Sequence, residues 1–181
     1  MLNRIYTIGH STRSIEELLT LLKEHSIECL ADIRRYPGSR RHPQFTGEAF
    51  RASLESAGIV YLHFEELGGR RRPALDSPNR GWRNDQFRAY ADHMSTQAFQ
   101  QTVSTLAARD TATAVMCAEA VPWRCHRNLL ADELAHRGIE VIHILGAGST
   151  AIHAMNPIAV IRDGQLIYPP AQEEMFGSRR V

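Results

Sequence analysis

Short apolar segments rich in β-branched residues alternate with amphipathic segments along this chain, and that alternation constrains the fold more than any other feature. The apolar segments occupy residues 4–9, 27–34, 59–64, 111–118 and 139–145. Between them, apolar residues recur three and four positions apart, which is the spacing of one buried helix face. Such an order predicts a mainly parallel sheet covered by helices on both sides. We therefore predict a three-layer α/β fold with a Rossmann-like sheet of about five strands.

Local signals set the ends of the predicted helices. Ser14 and Glu17 have the spacing of a capping box at the start of the first helix. Further helices are predicted over 48–56, over 85–108 with a break near 95–96, and over 122–137. A small β-hairpin turning at Asp163–Gly164 is expected near the C-terminus. The prediction is one α/β domain over 1–170 and a flexible tail over 171–181.

Composition excludes several classes of protein. An apolar content of 43% and a charged content of 23% in 181 residues are typical of one globular domain. No apolar run reaches the roughly 18 residues of a membrane helix, so no membrane partner is expected. The start of the chain, "MLNRIYTIGH", lacks the pattern of a secretory signal, and three cysteines make no disulfide framework. A cytoplasmic location is expected on these grounds.

Arginine residues are concentrated in one part of the chain. Between residues 34 and 83 there are ten arginines and five acidic residues, although the net charge of the whole chain is +1. Because 20 of the 21 basic residues are arginine, a GC-rich genome is an alternative explanation of the bias. The clustering predicts a basic face that attracts phosphate or carboxylate groups. The connection at 65–84 is longer than packing requires, and such loops are usually functional or disordered.

The predicted topology brings polar side chains to one edge of the sheet. Right-handed crossovers place the carboxyl ends of parallel strands along the same edge, where ligands of open α/β folds bind. The candidate catalytic residues there are Glu119, His10 and Cys125. The candidate substrate-binding residues are Ser11, Asp32, Arg34, Ser39, Arg40, Arg70, Cys117, His126 and Arg127.

The stretch "MCAEAVPWRCHR", residues 116–127, holds the most reactive of these side chains. Glu119 follows a predicted strand, where it is either a general base or a charge that favours a helix N-terminus. Cys125 is expected in or after the first turn of a helix, where its neighbours favour a thiolate; the alternative is a packed thiol. His126 and Arg127 are a candidate anion clamp at that helix N-terminus.

Other candidates in the set have plain structural alternatives. Cys117 is expected to be a small buried hydrophobe within the strand. Asp32 stands where a Rossmann protein places its ribose-binding acid, but a salt bridge with a nearby arginine would also explain it. His10 is either an acid–base group or a hydrogen-bonded structural histidine. The chain contains neither the dinucleotide-binding glycine fingerprint nor the phosphate-binding loop.

A zinc site is the obvious alternative for two cysteines and a histidine in one motif. The spacing C-x7-C-H has no usual finger or ribbon geometry. Cys125 and His126 are adjacent, and their side chains would point apart on a helix. We therefore predict no metal ligands, and the sequence identifies no cofactor.

Several motifs, taken in order, resemble a known family. They are "YTIGHS", "DIRRYPGSRR", "LGG" at 67–69, "FRAYADHM", "CAEAVPWRCHR" and "IEVIHIL". The chain is similar from about residue 6 to residue 168 to the bacterial and archaeal family called domain of unknown function 488. The resemblance implies a small α/β protein without an established activity. The recurring positions that it implies are Gly9, His10, Ser11, Asp32, Arg34, Pro37, Ser39, Glu119, Cys125, His126 and Arg127.

Three functions are consistent with these residues. The first is an enzyme, a hydrolase or transferase, that acts on an anionic, nucleotide-like or nucleic-acid substrate and moves a proton with Glu119 or His10. The second is a nucleic-acid-binding module whose arginines contact phosphates. The third is a thiol-based redox or sulfur-transfer protein that uses Cys125 and resolves it with Cys117. A homodimer is a further hypothesis that the sequence leaves open.

Overall fold

The centre of the fold is a mainly parallel sheet of six strands, seen in a computed structural model that describes residues 4–38 and 42–171. In chain order the strands are β1 (Arg4–Gly9), β2 (Cys29–Asp32), β3 (Val60–His63), β4 (Thr113–Cys117), β5 (Glu140–Gly146) and β6 (Ser149–Ile152). Their spatial order is β3-β2-β4-β1-β5-β6, with β1 to β5 parallel and β6 antiparallel to β5. The predicted α/β class is confirmed, and β6 is an edge strand that the sequence analysis did not include.

Five α-helices cover the two faces of this sheet within the described ranges. They are α1 (Ile15–Glu24), α2 (Gly47–Ser56), α3 (Asp85–Met94), α4 (Gln97–Ala107) and α5 (Arg127–His136). Side chains of α1 and α2 share a core with Ala114 and Met116 of β4. Side chains of α3, α4 and α5 share the opposite core with Val115 and Cys117. Because successive residues of β4 enter opposite cores, this strand is buried on both faces, as a three-layer fold requires.

Most of the local signals have their expected structures. The Ser14 hydroxyl accepts the Glu17 amide at 3.1 Å and the Glu17 carboxylate accepts the Ser14 amide at 2.7 Å, which completes the capping box. The C-terminal hairpin consists of β7 (Val160–Arg162) and β8 (Gln165–Ile167). Its turn residues have φ of 52° and 75°, the left-handed conformation of a tight hairpin turn. Of the predicted flexible tail, residues 172–181 lie outside the described residues.

One predicted boundary is wrong at a place that matters for the site. The helix expected from Pro122 begins at Arg127 instead, because residues 122–124 form a separate 3-10 turn. The break expected near 95–96 is present, and Thr96 caps α4 there through its side chain. In the described part of the chain, no helix is both long enough and apolar enough to span a membrane.

The long connection between β3 and α3 is ordered by one carboxylate, Asp92. Its oxygens accept the Ala74 amide at 2.8 Å, the Ser77 hydroxyl at 2.5 Å and the Asn79 side-chain amide at 2.8 Å. Asn79 in turn accepts the Tyr168 amide at 2.8 Å. The connection is therefore attached to both α3 and the C-terminal segment, and its arginines are presented from a defined backbone.

A chain of buried polar groups crosses the core between β1 and α5. Thr7 Oγ1 lies 2.7 Å from His143 Nδ1, His143 Nε2 lies 3.0 Å from His153 Nδ1, and His153 Nε2 lies 2.8 Å from Asp132 Oδ1. The Tyr168 hydroxyl donates to the other Asp132 oxygen at 2.8 Å. One proton on each ring satisfies the whole chain: Thr7 donates to His143, His143 donates to His153, and His153 donates to Asp132. This arrangement requires His143 to stay neutral.

The stability of the fold should therefore depend on pH through His143. Burial, followed by electrostatic interaction with His153 and Arg127, lowers the pKa of His143 from 6.5 to about 4. The unfolded chain gains a proton at this residue near pH 6.5, whereas the folded chain gains it only near pH 4, so stability is lost as pH falls between these values. Urea denaturation at a series of pH values should show this loss.

The variant His143→Gln tests the assignment. Below pH 6.5 the unfolded wild-type chain binds up to about one more proton at His143 than the folded chain does. The variant lacks this extra proton, so its free energy of unfolding should fall less steeply as the pH is lowered. Above that pH the two slopes should agree. Equal slopes below it would contradict a neutral His143 in the folded chain.

Candidate active site

A cleft of about 340 Å³ opens at the carboxyl ends of β1, β2 and β4. The predicted site residues that line it are His10, Arg34, Arg70, Cys117, Glu119, Cys125 and His126. Its other lining residues include Arg35, Tyr36, Gly69, Gln86, Phe87 and Arg124. Clefts that bind small molecules usually enclose about 300–1,000 Å³. The cleft therefore has the size of a small-molecule site and the position expected for an α/β fold.

The chain leaves β4 by crossing very close to the end of β1. A Cβ atom on Gly9 would lie 1.8 Å from the carbonyl oxygen of Glu119, so only glycine can occupy this position. The His10 amide donates to the Cys117 carbonyl at 2.9 Å and ties the two strand ends together. This contact directs the segment that carries Glu119 over the edge of the sheet and into the cleft.

The turn at Pro122–Arg124 returns the chain to the floor of the cleft. Cys125 has an extended backbone with φ of −133° and ψ of 146°, and α5 begins only at Arg127. Cys125 Sγ accepts the Arg127 amide at 3.4 Å from this position in front of the helix. The expectation that Cys125 and His126 point apart is wrong because Cys125 is not helical. The ligand atoms of Cys117, Cys125 and His126 all lie within 4.8 Å of one another.

Cys117 and Cys125 form a pair of buried thiols at the base of the cleft. The hydrogen bond from the Cys125 thiol, assisted by the charge of Arg127, lowers the pKa of Cys117 to about 7. Burial, followed by the interaction with Cys117, raises the pKa of Cys125 well above its usual range. The two thiols share one hydrogen bond beside the charge of Arg127, which favours a single negative charge on the pair.

Arg127 lies behind the thiol pair and does not line the cleft. It is 1% exposed, and its Nη2 donates to the Ala120 carbonyl at 3.3 Å. Its Nε and Nη1 have no hydrogen-bond partner within the described ranges. A buried cation without a compensating anion is strongly unfavourable. A negative charge on the thiol pair would supply that compensation, whereas the predicted anion clamp is not seen at Arg127, which does not line the cleft.

His126 is held in one orientation by its surroundings. Its ring lies against Gly69, where an added Cβ would be 3.0 Å from Nδ1, and against Tyr90 at a centroid distance of 4.9 Å. Burial, opposed by a backbone hydrogen bond with Ile33 and assisted by the charges of Arg127 and Arg71, lowers the pKa of His126 to about 4. The ring is therefore neutral at neutral pH, with a nitrogen lone pair at its disposal.

Asp32 and Arg34 form a buried ion pair at the end of β2. Arg34 donates to the two Asp32 oxygens at 2.9 Å and 2.6 Å, and also to the Phe45 carbonyl at 2.9 Å. The Tyr61 hydroxyl donates to Asp32 at 2.8 Å. Asp32 is fully buried and does not line the cleft, so it positions Arg34 instead of contacting a ligand. This is the structural alternative that the sequence analysis left open.

His10 is held between the backbone and Arg34. Its Nδ1 donates to the Ser11 carbonyl at 3.0 Å, and its Nε2 consequently accepts from Arg34 Nη1 at 3.3 Å. The ring stacks on Phe45 at a centroid distance of 4.3 Å. Burial, opposed by the Ser11 hydrogen bond and assisted by the charge of Arg34, lowers the pKa of His10 to about 4. Both ring nitrogens are engaged, which leaves His10 poorly placed to exchange a proton with a ligand.

The arginines that line the mouth of the cleft differ in their exposure and in their hydrogen bonds. Arg124 and Arg70 are exposed, and Arg35 donates to the Arg70 carbonyl at 3.4 Å. A neighbouring groove of about 500 Å³ shares Arg35, Tyr36 and Arg70 with the cleft and continues along the 70–72 segment. Six arginines therefore line the cleft and the groove: Arg34, Arg35, Arg70, Arg71, Arg72 and Arg124. Two further predicted residues, Ser39 and Arg40, lie outside the described residues.

A model of the family described as "Domain of unknown function DUF488" matches residues 14–134. The chain belongs to the DUF488 family. The match confirms the resemblance seen in the motifs, and its description gives no activity. No match was found among the curated proteins or among the solved structures. In this DUF488 protein the matched segment contains every cleft residue from Arg34 to His126, and His10 lies just before it.

The structure brings most of the predicted site residues of this DUF488 protein to one place, with three exceptions among those it describes. Asp32 and Arg127 are buried behind the wall, and Ser11 is half-buried outside the cleft lining. The lining residues that sequence reasoning missed are Gly38, His42, Gly69, Gln86, Phe87 and Ala118. The paired glycines of "LGG" were a usable signal, because adjacent glycines often permit close approach to another side chain.

The buried ion pair of Asp32 and Arg34 should contribute strongly to stability. Asp32→Asn leaves the Arg34 guanidinium buried without a carboxylate, which is expected to cost about 3–5 kcal/mol in the free energy of unfolding. Urea denaturation measures the loss. Glu140→Gln is the matched control, because it breaks the exposed pair between Arg4 and Glu140 and should leave stability nearly unchanged. A similar small effect in both variants would show that Asp32 has no such role.

Proposed function

We propose that this DUF488 protein is an enzyme that acts on an anionic, nucleotide-like substrate in the cleft, as a hydrolase or transferase. The observation that supports this best is an exposed carboxylate, Glu119, in a cleft whose mouth carries arginines without carboxylate partners. Within the described ranges, Arg35, Arg70 and Arg124 make no salt bridge. Unpaired guanidinium groups around a small cleft favour phosphate or carboxylate ligands.

Glu119 is the group we assign to proton transfer. It is exposed, it lines the cleft, and its backbone is fixed by the close passage over Gly9. His10, the other candidate, has Nδ1 committed to Ser11 and Nε2 committed to Arg34. A general acid or base needs a free position within hydrogen-bond reach of the substrate. Glu119 meets that requirement and His10 does not.

Aromatic side chains beside the arginines favour a substrate with a flat ring. Tyr36 is 59% exposed at the mouth, and the Arg35 guanidinium lies over its ring at 5.7 Å from the centroid. Phe87 lines the cleft from α3. A base stacked on an aromatic ring, with its phosphate on neighbouring arginines, is a common arrangement in nucleotide recognition. A nucleotide is therefore the anion that we favour.

A nucleotide within a single-stranded nucleic acid is the second candidate substrate. The observation that favours it is the groove that continues from the cleft along Arg70, Arg71 and Arg72. Of these, Arg71 is already committed, because it donates to the carbonyl oxygens of Glu66 and Gly68. Binding through the groove would weaken steeply with added salt, whereas a mononucleotide confined to the cleft would show a shallower dependence.

Ligand binding should depend on the arginines at the mouth. A panel of nucleoside monophosphates and inorganic phosphate, tested by thermal shift and then by calorimetry, should contain ligands that stabilise the protein. For the best of these, Arg70→Gln or Arg124→Gln should weaken binding by about tenfold or more, the worth of one charged hydrogen bond. Arg162→Gln on the distant hairpin removes the same charge and should change nothing. Equal losses in all three variants would leave only a general charge effect and contradict the assignment.

Turnover should depend on Glu119. With a panel member that is converted, Glu119→Gln should reduce the rate by about 100-fold or more, because general acid–base groups contribute about 10²–10⁴-fold. Substrate affinity and thermal stability should stay close to those of the wild type, since the side chain is exposed and the change is isosteric. Glu55→Gln on the exposed end of α2 is the control. Full activity in Glu119→Gln would remove the residue from the reaction.

A further inference from the structure

We infer that the floor of the cleft is a metal centre in which Cys117, Cys125 and His126 bind Zn²⁺ and leave a fourth position open to the cleft. The three ligand atoms lie within 4.8 Å of one another although they come from a strand end and from the segment before α5. Metal binding stands on this geometry alone. Only the catalytic use of the metal rests on the function proposed above.

The spacing of the donors agrees with a tetrahedral site. Cys125 Sγ lies 3.7 Å from His126 Nδ1. Zinc binds sulfur at about 2.3 Å and imidazole nitrogen at about 2.0 Å, and a tetrahedral angle between such bonds gives a separation of about 3.6 Å. The pair is therefore already at the distance that a shared zinc ion requires, without movement of the backbone.

The types of donor favour zinc over harder cations. Two thiolates and one imidazole are ligands that zinc prefers, whereas magnesium and calcium take oxygen ligands. The cluster of donor atoms contains three residues within the described ranges, which is the number found in catalytic zinc sites. Glu119 and Arg124 line the same cleft without belonging to the cluster. The fourth position consequently faces the space where a substrate would lie.

The surroundings of the cluster have the properties of an outer coordination shell. The Arg127 amide donates to Cys125 Sγ at 3.4 Å, and its buried guanidinium has two N–H groups without a partner in the described part of the chain. A positive charge at this place favours anionic sulfur ligands. Gly69 and Tyr90 hold the His126 ring in position. Residues that orient metal ligands in this way are a regular part of zinc sites.

Under the proposed function, the open position would hold the water that reacts. Zinc lowers the pKa of a bound water molecule, and the Glu119 carboxylate accepts the proton that this water loses. The resulting hydroxide forms a bond to the electrophilic carbon or phosphorus atom of the anionic substrate. The bond to the leaving group breaks, and Glu119 returns the proton to that group, so that one water molecule is consumed for each bond broken. Of the two reaction classes proposed above, hydrolysis and group transfer, this step is a hydrolysis.

Metal binding can be measured without knowing the substrate. The full chain, purified without chelators, should contain about one zinc per molecule by plasma mass spectrometry. After removal of zinc, Co²⁺ should produce thiolate-to-cobalt charge-transfer absorption and the intense visible bands of a four-coordinate site. Cys117→Ser, Cys125→Ser and His126→Asn should each weaken Co²⁺ binding by more than about 100-fold, because loss of even an outer-shell partner costs about 10–100-fold.

Two variants act as controls for the metal experiment. Cys29→Ser removes the third cysteine, which is buried in β2 and does not line the cleft, and it should bind Co²⁺ as the wild type does. Glu119→Gln should also keep the metal, since Glu119 is not a ligand in this arrangement. If a ligand variant fails to fold, the charge-transfer bands of the wild type and their reversal by a chelator still test the centre.

The outcomes separate the metal centre from the proposed function. Absence of charge-transfer absorption in the wild type, with a Cys117–Cys125 disulfide found by peptide mass spectrometry, would overturn the metal centre in favour of a redox pair. Turnover of a panel nucleotide by zinc-free protein at the full rate would overturn the catalytic use of the metal, while the proposed function would stand. Stoichiometric metal with thiolate bands, but no turnover of any panel member, would support the centre and count against the proposed function.

Discussion

The close passage of the chain over Gly9 is the constraint on which the site depends. The Glu119 carbonyl oxygen occupies the place where a Cβ of residue 9 would stand, so the end of β1 and the segment after β4 meet backbone to backbone. That contact sets the direction in which the chain leaves β4 and brings Glu119 to the cleft. Gly69 has a similar part beneath the ring of His126. At Gly9 a larger residue would collide with the backbone, and at Gly69 it would crowd the ring of His126.

Features that depend on neighbouring residues could be predicted from the sequence. The capping box at Ser14, the left-handed turn at Asp163–Gly164 and the alternation of strands and helices all require only local spacing. Strand β6 was missed because four residues carry little periodic signal and their pairing with β5 is a tertiary contact. The start of α5 was misplaced because Pro122 suits the first position of a 3-10 turn as well as that of an α-helix.

The strand-end rule predicted which residues gather at the cleft but not what each of them does there. Asp32 and Arg34 are both at the end of β2, and only the fold shows that they satisfy each other. Arg127 follows directly after His126, which was predicted to bind the substrate. Arg127 is nevertheless the first residue of α5, and its side chain is buried in the interior behind the cleft. Burial of this kind depends on how α5 packs against the sheet. The burial of a charged side chain cannot be predicted from charge and spacing in the sequence.

The two buried guanidinium groups, those of Arg34 and Arg127, differ in what opposes their positive charge. Arg34 faces the carboxylate of Asp32 and donates to both of its oxygens. Arg127 faces the thiols of Cys117 and Cys125, whose combined charge changes when a proton leaves or a metal ion binds. A buried charge of variable magnitude is costly to keep for stability alone. The two thiols line the same cleft as Glu119, the residue that we propose for proton transfer, so this variable charge lies where a substrate is proposed to bind.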